Sequence, residues 1–365
     1  MPTTLLYINS SDYKNNNPQW QSDPYGIYRV RLDTETGALE IVGRDYTAAS
    51  TNFFHVDGVN NRLFASHRAG AEAGELLAFS IDPASGKLTY LNRQSAGNSA
   101  ITYVGMSHDK RFVLTVNYAS PDCTGRTNVF PVAESGQVLA ASQALQYDGH
   151  SVNEKRQTCS HPHMIDIDPT GKLVLVPDLG LDKLMLYDID SATGTLSPHD
   201  PPWMELPPGS GPRHFTFHPN GKLLYLLNEL LATIQPYRYE GGRLTPLTLL
   251  PTLPDDFTEP NTAADIHITP DGRYLYSTNR GHDSIAMCRI EDSGELTLIG
   301  RESTRGSHPR FFNLDPAGRF LIVSNQFSHN VLTFRINYAT GKLEFTGHEI
   351  SIPGPSCIYA YVLRD

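Results

Sequence analysis

The sequence predicts an all-β chain folded as a seven-bladed β-propeller, one domain spanning residues 1–365. Three observations predict it. A strand followed by a glycine turn recurs seven times, a second hairpin recurs six times between those copies, and the two chain ends look like halves of the missing seventh hairpin.

The first element is a strand, a turn ending in Gly, then one residue and a Leu or Val: "VRLDTETGALE", "FSIDPASGKLT", "FPVAESGQVLA", "YDIDSATGTLS", "YRYEGGRLTP", "CRIEDSGELTL" and "FRINYATGKLEF". Its glycines, Gly37, Gly86, Gly136, Gly194, Gly242, Gly294 and Gly341, lie 47 to 58 residues apart. The second element places a basic residue between a turn and an apolar run: "DPTGKLVLVPD", "HPNGKLLYLLN", "TPDGRYLYSTN" and "DPAGRFLIVSN", with degenerate copies at "GVNNRLFASHR" and "SHDKRFVLTVN". Both alternate at period two and turn at Gly, Asp or Pro, as antiparallel strands do. Two hairpins in roughly 50 residues make a four-stranded sheet, and seven such sheets arranged radially make a propeller. The C-terminal "GPSCIYAYVLRD" reads as a first strand and the N-terminal "TLLYINS" as a second. Pairing them closes the ring and protects both sheet edges.

Composition agrees and excludes other classes. Charged residues are 19% and hydrophobic residues 39%, with 29 Gly and 26 Pro, the make-up of a folded, turn-rich chain. A net charge of −10 opposes nucleic acid and anionic membranes as partners. No run reaches the length of a membrane span, and "MPTTLLYINSSDYKNNNPQW" lacks a basic leader with an apolar stretch, so a cytoplasmic protein is expected, as a monomer or weak homodimer. Cys123, Cys159, Cys288 and Cys357 show no C-x-x-C spacing and are expected as reduced thiols.

In a propeller the first strand of each repeat lines the channel and the second returns beside it. The start of the first and the end of the second therefore share one mouth. In chain order those positions hold Arg68, then Asn117, then His161 and His163 with Asp178, then Arg213 and His214 with Asn228 and Glu229. Asp265 and His267 with Asn279 and Arg280 follow, then His308 and Arg310 with Asn325 and Gln326. Basic groups gathered in an acidic chain point to an anionic small molecule. Each also has a plain structural reading. The recurring Asn, and Asp178 in the same place, suit a turn, His214 and His267 suit a packed core, and Arg213 can pair with Glu229 across its own hairpin. "HPH" at His161 to His163 is a weak metal signal, there is no H-E-x-x-H, G-x-S-x-G, Walker or dinucleotide motif, and no metal or cofactor is expected.

Four segments, "RQTCSHPHMIDIDPTGKLVLVPDLGLDKLMLY", "GSGPRHFTFHPNGKLLYLLNEL", "AADIHITPDGRYLYSTNRGHDSI" and "HPRFFNLDPAGRFLIVSNQ", resemble the seven-bladed propeller lactonases over nearly the whole chain. That family includes bacterial 6-phosphogluconolactonase and the fungal carboxymuconate lactonizing enzyme, and "LPDDFTEPNTAADIHITPDGRYLY" looks closest to the bacterial branch. The resemblance implies His163, Arg213, Glu229 and Arg280 as the acting residues. His163 would be the base, Glu229 would orient it or the water, and the two arginines would bind oxyanion and substrate anion. Arg68, Arg156 and Arg310 are the expected phosphate ligands, with His161, His214 and Asp178 beside them. The implied activity is hydrolysis of 6-phospho-glucono-1,5-lactone; lactonase or cycloisomerase action on another anionic lactone such as carboxymuconate, and a non-catalytic binding platform, are the alternatives. Longer loops at 9–26, 117–128 and 148–160 depart from the family pattern.

Overall fold

The computed structural model describes residues 3–11, 25–46, 51–69, 73–97, 100–118 and 123–364, so parts of the loops at 9–26 and 117–128 lie outside the described residues. Seven antiparallel sheets follow one another round a ring, and no helix occurs among the described residues. Six are consecutive four-strand units, the one beginning at Pro212–Phe217 gaining a short fifth segment, Leu250–Pro251. The seventh joins Pro355–Val362 to Thr4–Ser10, with Leu6 opposite Ala360 and Ile8 opposite Ile358. Both chain ends are thus strands in one sheet, the closure that the terminal sequences predict.

The repeat glycines stitch neighbouring blades together. Gly86 sits at φ 68°, where only a residue without Cβ is unstrained, and an added Cβ would meet Leu5 at 2.2 Å. Its carbonyl accepts from the buried Tyr7 hydroxyl of the adjacent blade at 2.5 Å. The same tie recurs from Tyr225 to Gly294 (3.1 Å) and from Tyr276 to Gly341 (3.0 Å). Between blades lie the apolar faces of the middle strands, such as Leu224 and Leu226 against Leu175 and Leu186. Each blade is hydrophobic on both faces, because it is covered on both sides, and its outermost strand turns polar, as in Leu39–Tyr46.

Candidate active site

The inner strands converge on a cavity of about 820 Å³ at one mouth of the channel. Its lining includes Arg68, Tyr118, Arg156, His163, Arg213, Glu229, Arg280, His308, Arg310 and Phe327. Five arginines and one carboxylate make this a strongly cationic pocket in a chain of net charge −10.

Backbone irregularities aim these side chains. Arg213 is the extra residue where the pairing of Pro212 with Asn228 passes to His214 with Leu227. Arg310 occupies the same place between Pro309–Asn325 and Phe311–Ser324, as does Thr102 between Ile101–Asn117 and Tyr103–Val116. A bulged residue escapes strict alternation, so all three reach the cavity. His163 sits on an interrupted strand: Pro162 forms only an isolated bridge to Asp178, and regular pairing begins at Asp166–Ile167. Glu229 and Arg280 come from the far ends of second strands, each next to a recurring Asn.

Glu229 is the hub. Its Oε2 accepts from Arg213 Nη1 at 2.5 Å and meets Arg280 Nη2 at 3.0 Å, while its Oε1 accepts from Arg156 Nη2 at 2.5 Å. The carboxylate is 1% exposed, yet burial, which alone would raise its pKa, is outweighed by Arg280, Arg213 and Arg156, which hold it well below the usual range. Burial and the neighbouring arginines push Arg280 down to about 9, still charged at neutral pH. Arg213 also gives its Nε–H to the Ala264 carbonyl at 2.6 Å, freed where the next blade's register shifts, and Arg280 donates to the Ala263 carbonyl at 3.0 Å. Both guanidiniums are thereby fixed before any ligand arrives.

His163 is buried, and its Nε2 meets Arg213 Nη1 at 2.5 Å. Because arginine only donates, Nε2 is the lone-pair nitrogen and the ring is neutral with its proton on Nδ1. Burial first, then Arg213 and His214, lower its pKa well below the ordinary value. His163 and Glu229 thus share one guanidinium group, Arg213 Nη1, which contacts both.

The cross-hairpin pairing of Arg213 with Glu229 exists as one arm of this larger network. The structure brings His163, Arg213, Glu229, Arg280, Arg68, Arg156 and Arg310 to the same cavity and sets three residues apart from it. Asp178 does not line the cavity: its carboxylate accepts from Ser160 Oγ and from the backbone N–H groups of His161, Gly180 and Leu181, so it ties a loop. His161 stacks on Tyr118 with centroids 4.1 Å apart, its Nδ1 3.0 Å from the Tyr118 carbonyl. His214 points below the cavity, its Nδ1 2.8 Å from Asp265 Oδ1. Asn117, Asn279 and Asn325 bond to neighbouring loops at Ala96, Thr252 and Thr304.

Arg156 arrives on the 148–160 loop. Asn153 accepts from the N–H groups of Lys155 and Arg156, and Gln157 donates to Leu179 O at 2.9 Å, which presses this turn onto the blade. Gly180 permits the approach, since a Cβ there would lie 1.7 Å from the Cys159 carbonyl. The expectation of four reduced cysteines is corrected at this point. Cys123 and Cys159 form a disulfide with Cα atoms 5.5 Å apart, joining the loop after Tyr118 to the loop carrying Arg156, while Cys288 and Cys357 are buried thiols. The pairing is invisible in the spacing because 36 residues separate the two cysteines.

Tyr118 and Phe327 are lining residues that sequence reasoning missed. A signal for Tyr118 existed: it follows Asn117 as Glu229 follows Asn228 and Arg280 follows Asn279. One H-x-x-x-H spacing does occur, His214 to His218, but it runs from the strand Pro212–Phe217 into the turn after it, with His214 on Asp265 and His218 Nε2 3.0 Å from the Gly272 carbonyl. Among the described residues no group of three metal-ligating side chains forms.

Comparison with known proteins places these observations in a family. The family model for "Lactonase, 7-bladed beta-propeller" matches residues 13–360. A 6-phosphogluconolactonase of Bacillus subtilis is 34% identical over 91% of this chain and 93% of its own length, and one of Formosa agariphila is 31% identical over 92% and 95%. The solved periplasmic gluconolactonase of Pseudomonas aeruginosa superposes with a TM-score of 0.89 at 27% identity, covering 99% of this chain and all of that one. The chain belongs to the seven-bladed β-propeller lactonase family.

Proposed function

We propose that this protein hydrolyses an anionic sugar lactone, with 6-phospho-glucono-1,5-lactone as the first substrate to test. The supporting observation is the charge of the cavity: five arginines against one carboxylate, the acid locked in its ionised form by three of them. Such a pocket favours a ligand carrying a dianionic phosphate and a carbonyl that becomes an oxyanion. Its volume of about 820 Å³ accommodates a phosphorylated hexonolactone. The relatives named 6-phosphogluconolactonase support the phosphosugar over carboxymuconate.

In this reading the lactone carbonyl oxygen replaces His163 Nε2 as the acceptor of one Arg213 Nη1–H, the guanidinium itself staying on Glu229 and the Ala264 carbonyl, and the Nε2 lone pair is uncovered. Water attacks the carbonyl carbon and passes a proton to Nε2, while Arg213 and Arg280 meet the oxyanion. As the intermediate collapses, the ring C–O bond breaks and the ring oxygen takes the proton back from Nε2. The product acid ionises and releases one proton. Glu229 is too firmly paired to act as a base; it holds the arginines in place. Arg68, Arg156 and Arg310 bind the phosphate.

A coupled or pH-stat assay with freshly made 6-phosphogluconolactone, run beside gluconolactone and carboxymuconate, tests the reading. His163→Ala and Glu229→Gln are each expected to lower turnover about a hundredfold or more with the fold intact. Unchanged turnover in both rejects it, and turnover of carboxymuconate alone selects the cycloisomerase. The proposal includes a cytoplasmic monomer or weak homodimer without nucleic acid. The Cys123–Cys159 disulfide opposes that location, and thiol trapping of the protein in its native cells decides the matter.

A further inference from the structure

We infer that a water molecule bound beneath His163 joins it to His214, and that His214 and Asp265 are positioning residues that set the tautomer in which His163 works. The inference rests on the hydrolytic role given above to His163. Four observations carry it.

First, His163 Nδ1 is buried and has no hydrogen-bond partner among the described residues, although the contact of Nε2 with Arg213 requires Nδ1 to carry the proton. A buried N–H left unpaired is costly. Second, a small space of about 10 Å³ adjoins the main cavity, lined by His163, Arg213, Arg310 and His214 together with Thr102, Asn52 and Ser356, and closed on its apolar side by Phe53, Phe311 and Cys357. That volume admits the centre of about one water molecule, and the polar lining supplies the partners a buried water needs. Third, the His163 and His214 rings stand edge to face with centroids 5.3 Å apart across this space. Fourth, Asp265 fixes the His214 proton. Its Oδ1 is 2.8 Å from His214 Nδ1, and its Oδ2 receives His267 Nε2 at 3.0 Å and the Phe312 N–H at 3.2 Å. A carboxylate only accepts, so His214 carries its proton on Nδ1 and offers Nε2 as an acceptor.

Every bond direction in the resulting chain is determined. Arg213 N–H points to His163 Nε2; His163 Nδ1–H points to the water; the water points to His214 Nε2; His214 Nδ1–H points to Asp265. The chain starts at an obligate donor and ends at an obligate acceptor, so the opposite tautomer of His163 would place two N–H groups head to head at Arg213. The asparagine, serine and threonine that also line the space complete the water's bonds without dictating a direction, and Arg310, which can only donate, leaves the water's own O–H for His214 Nε2. When His163 takes the proton of the attacking water, Asp265 supplies a countercharge through His214 that the surrounding arginines cannot. The logic is that of an aspartate holding a catalytic imidazole, with one water and one histidine interposed.

The test combines turnover with ring-nitrogen NMR of the full chain labelled with ¹⁵N-histidine. In the wild type both His163 and His214 are expected as Nδ1–H tautomers. Asp265→Asn removes the countercharge and offers an N–H where an acceptor stood, so the chain loses its obligate acceptor end; kcat should fall at least tenfold with KM within about twofold, and the His163 ring shifts should change. His214→Gln keeps an amide N–H for Asp265 and a carbonyl for the water, so it should retain most of the turnover. His214→Phe keeps bulk without either and should lose it as Asp265→Asn does. Wild-type kcat and unchanged ring shifts in Asp265→Asn would overturn the inference. Equal activities of the Gln and Phe variants would do so too, even if Asp265→Asn failed to fold. If the wild type hydrolyses no lactone, the functional reading fails instead, while the tautomers of His163 and His214 still decide the bridge.

Discussion

At the scale of single residues, the site works by making one carboxylate unavailable. Glu229 faces three guanidinium groups within 3.0 Å, so it cannot take a proton at any ordinary pH and instead presents rigid N–H donors to the substrate. His163 is the group left to exchange protons. Burial and Arg213 lower its pKa well below 6.5, and a lowered pKa keeps the ring unprotonated further into acid. The acid limb of kcat/KM should therefore lie well below the ordinary histidine value of about 6.5 in a profile measured with unphosphorylated gluconolactone, where substrate phosphate does not titrate. A limb at 6.5 or higher would contradict this assignment. Arg213, Glu229, Arg280 and His163 were legible in the sequence because a charged group at a strand end facing a channel is seldom there for packing. Asp178 stands in the same register and proved to hold a loop, since a carboxylate beside N–H groups of a turn serves structure equally well. No sequence pattern separates those two uses.

At the scale of elements, the scaffold was readable and its irregularities were not. Alternation and turn glycines marked the repeat strands, and the terminal half-hairpins predicted the closing pair seen at Leu6 and Ala360. The bulges that turn Arg213 and Arg310 into the cavity left no trace in the alternation, because one inserted residue in six is within the scatter of any strand pattern. The disulfide is a second such feature. It bridges the loops that deliver Tyr118 and Arg156, and a closed loop of 36 residues is worth about 4 kcal/mol if its effect is on unfolded-chain entropy. Urea unfolding of the Cys123→Ser, Cys159→Ser double variant should show a loss near that size. Its KM should rise several-fold as Arg156 loses its anchored loop, while kcat, set by His163 and Arg213, changes little. A KM equal to that of the wild type would show that the Asn153 turn alone positions Arg156.

At the scale of the whole molecule, seven sheets packed radially bury polar groups at the inner strands, and several are histidines held neutral. Burial is the first cause at each. His55 and His214 are lowered to about 4, and His308, which also faces Arg280 and Arg310, to about 3. In the unfolded chain these rings protonate near pH 6.5, so below that value the unfolded state binds protons that the native state refuses. The stabilising contribution is complete above about pH 6.5 and is withdrawn as pH falls towards 4, by roughly 3 kcal/mol for each of His55 and His214. Burial also raises Asp166 and Asp178 to about 6, and their protonation in the native state over the same range offsets part of this loss. The histidine share is therefore read by comparing urea midpoints of the wild type and His55→Gln, where the wild type should lose more stability between about pH 6.5 and 4.5; equal losses would mean the ring is charged in the native state.

The central claim is that this cationic cavity hydrolyses a phosphorylated sugar lactone with His163 as its base. It is tested most directly by the initial rate of 6-phosphogluconate formation from freshly prepared 6-phosphoglucono-1,5-lactone, measured for the wild type and for His163→Ala at equal concentration. The account predicts a wild-type rate far above spontaneous hydrolysis and a loss of about a hundredfold or more in the variant. No acceleration by the wild type, or a variant as fast as the wild type, would contradict it.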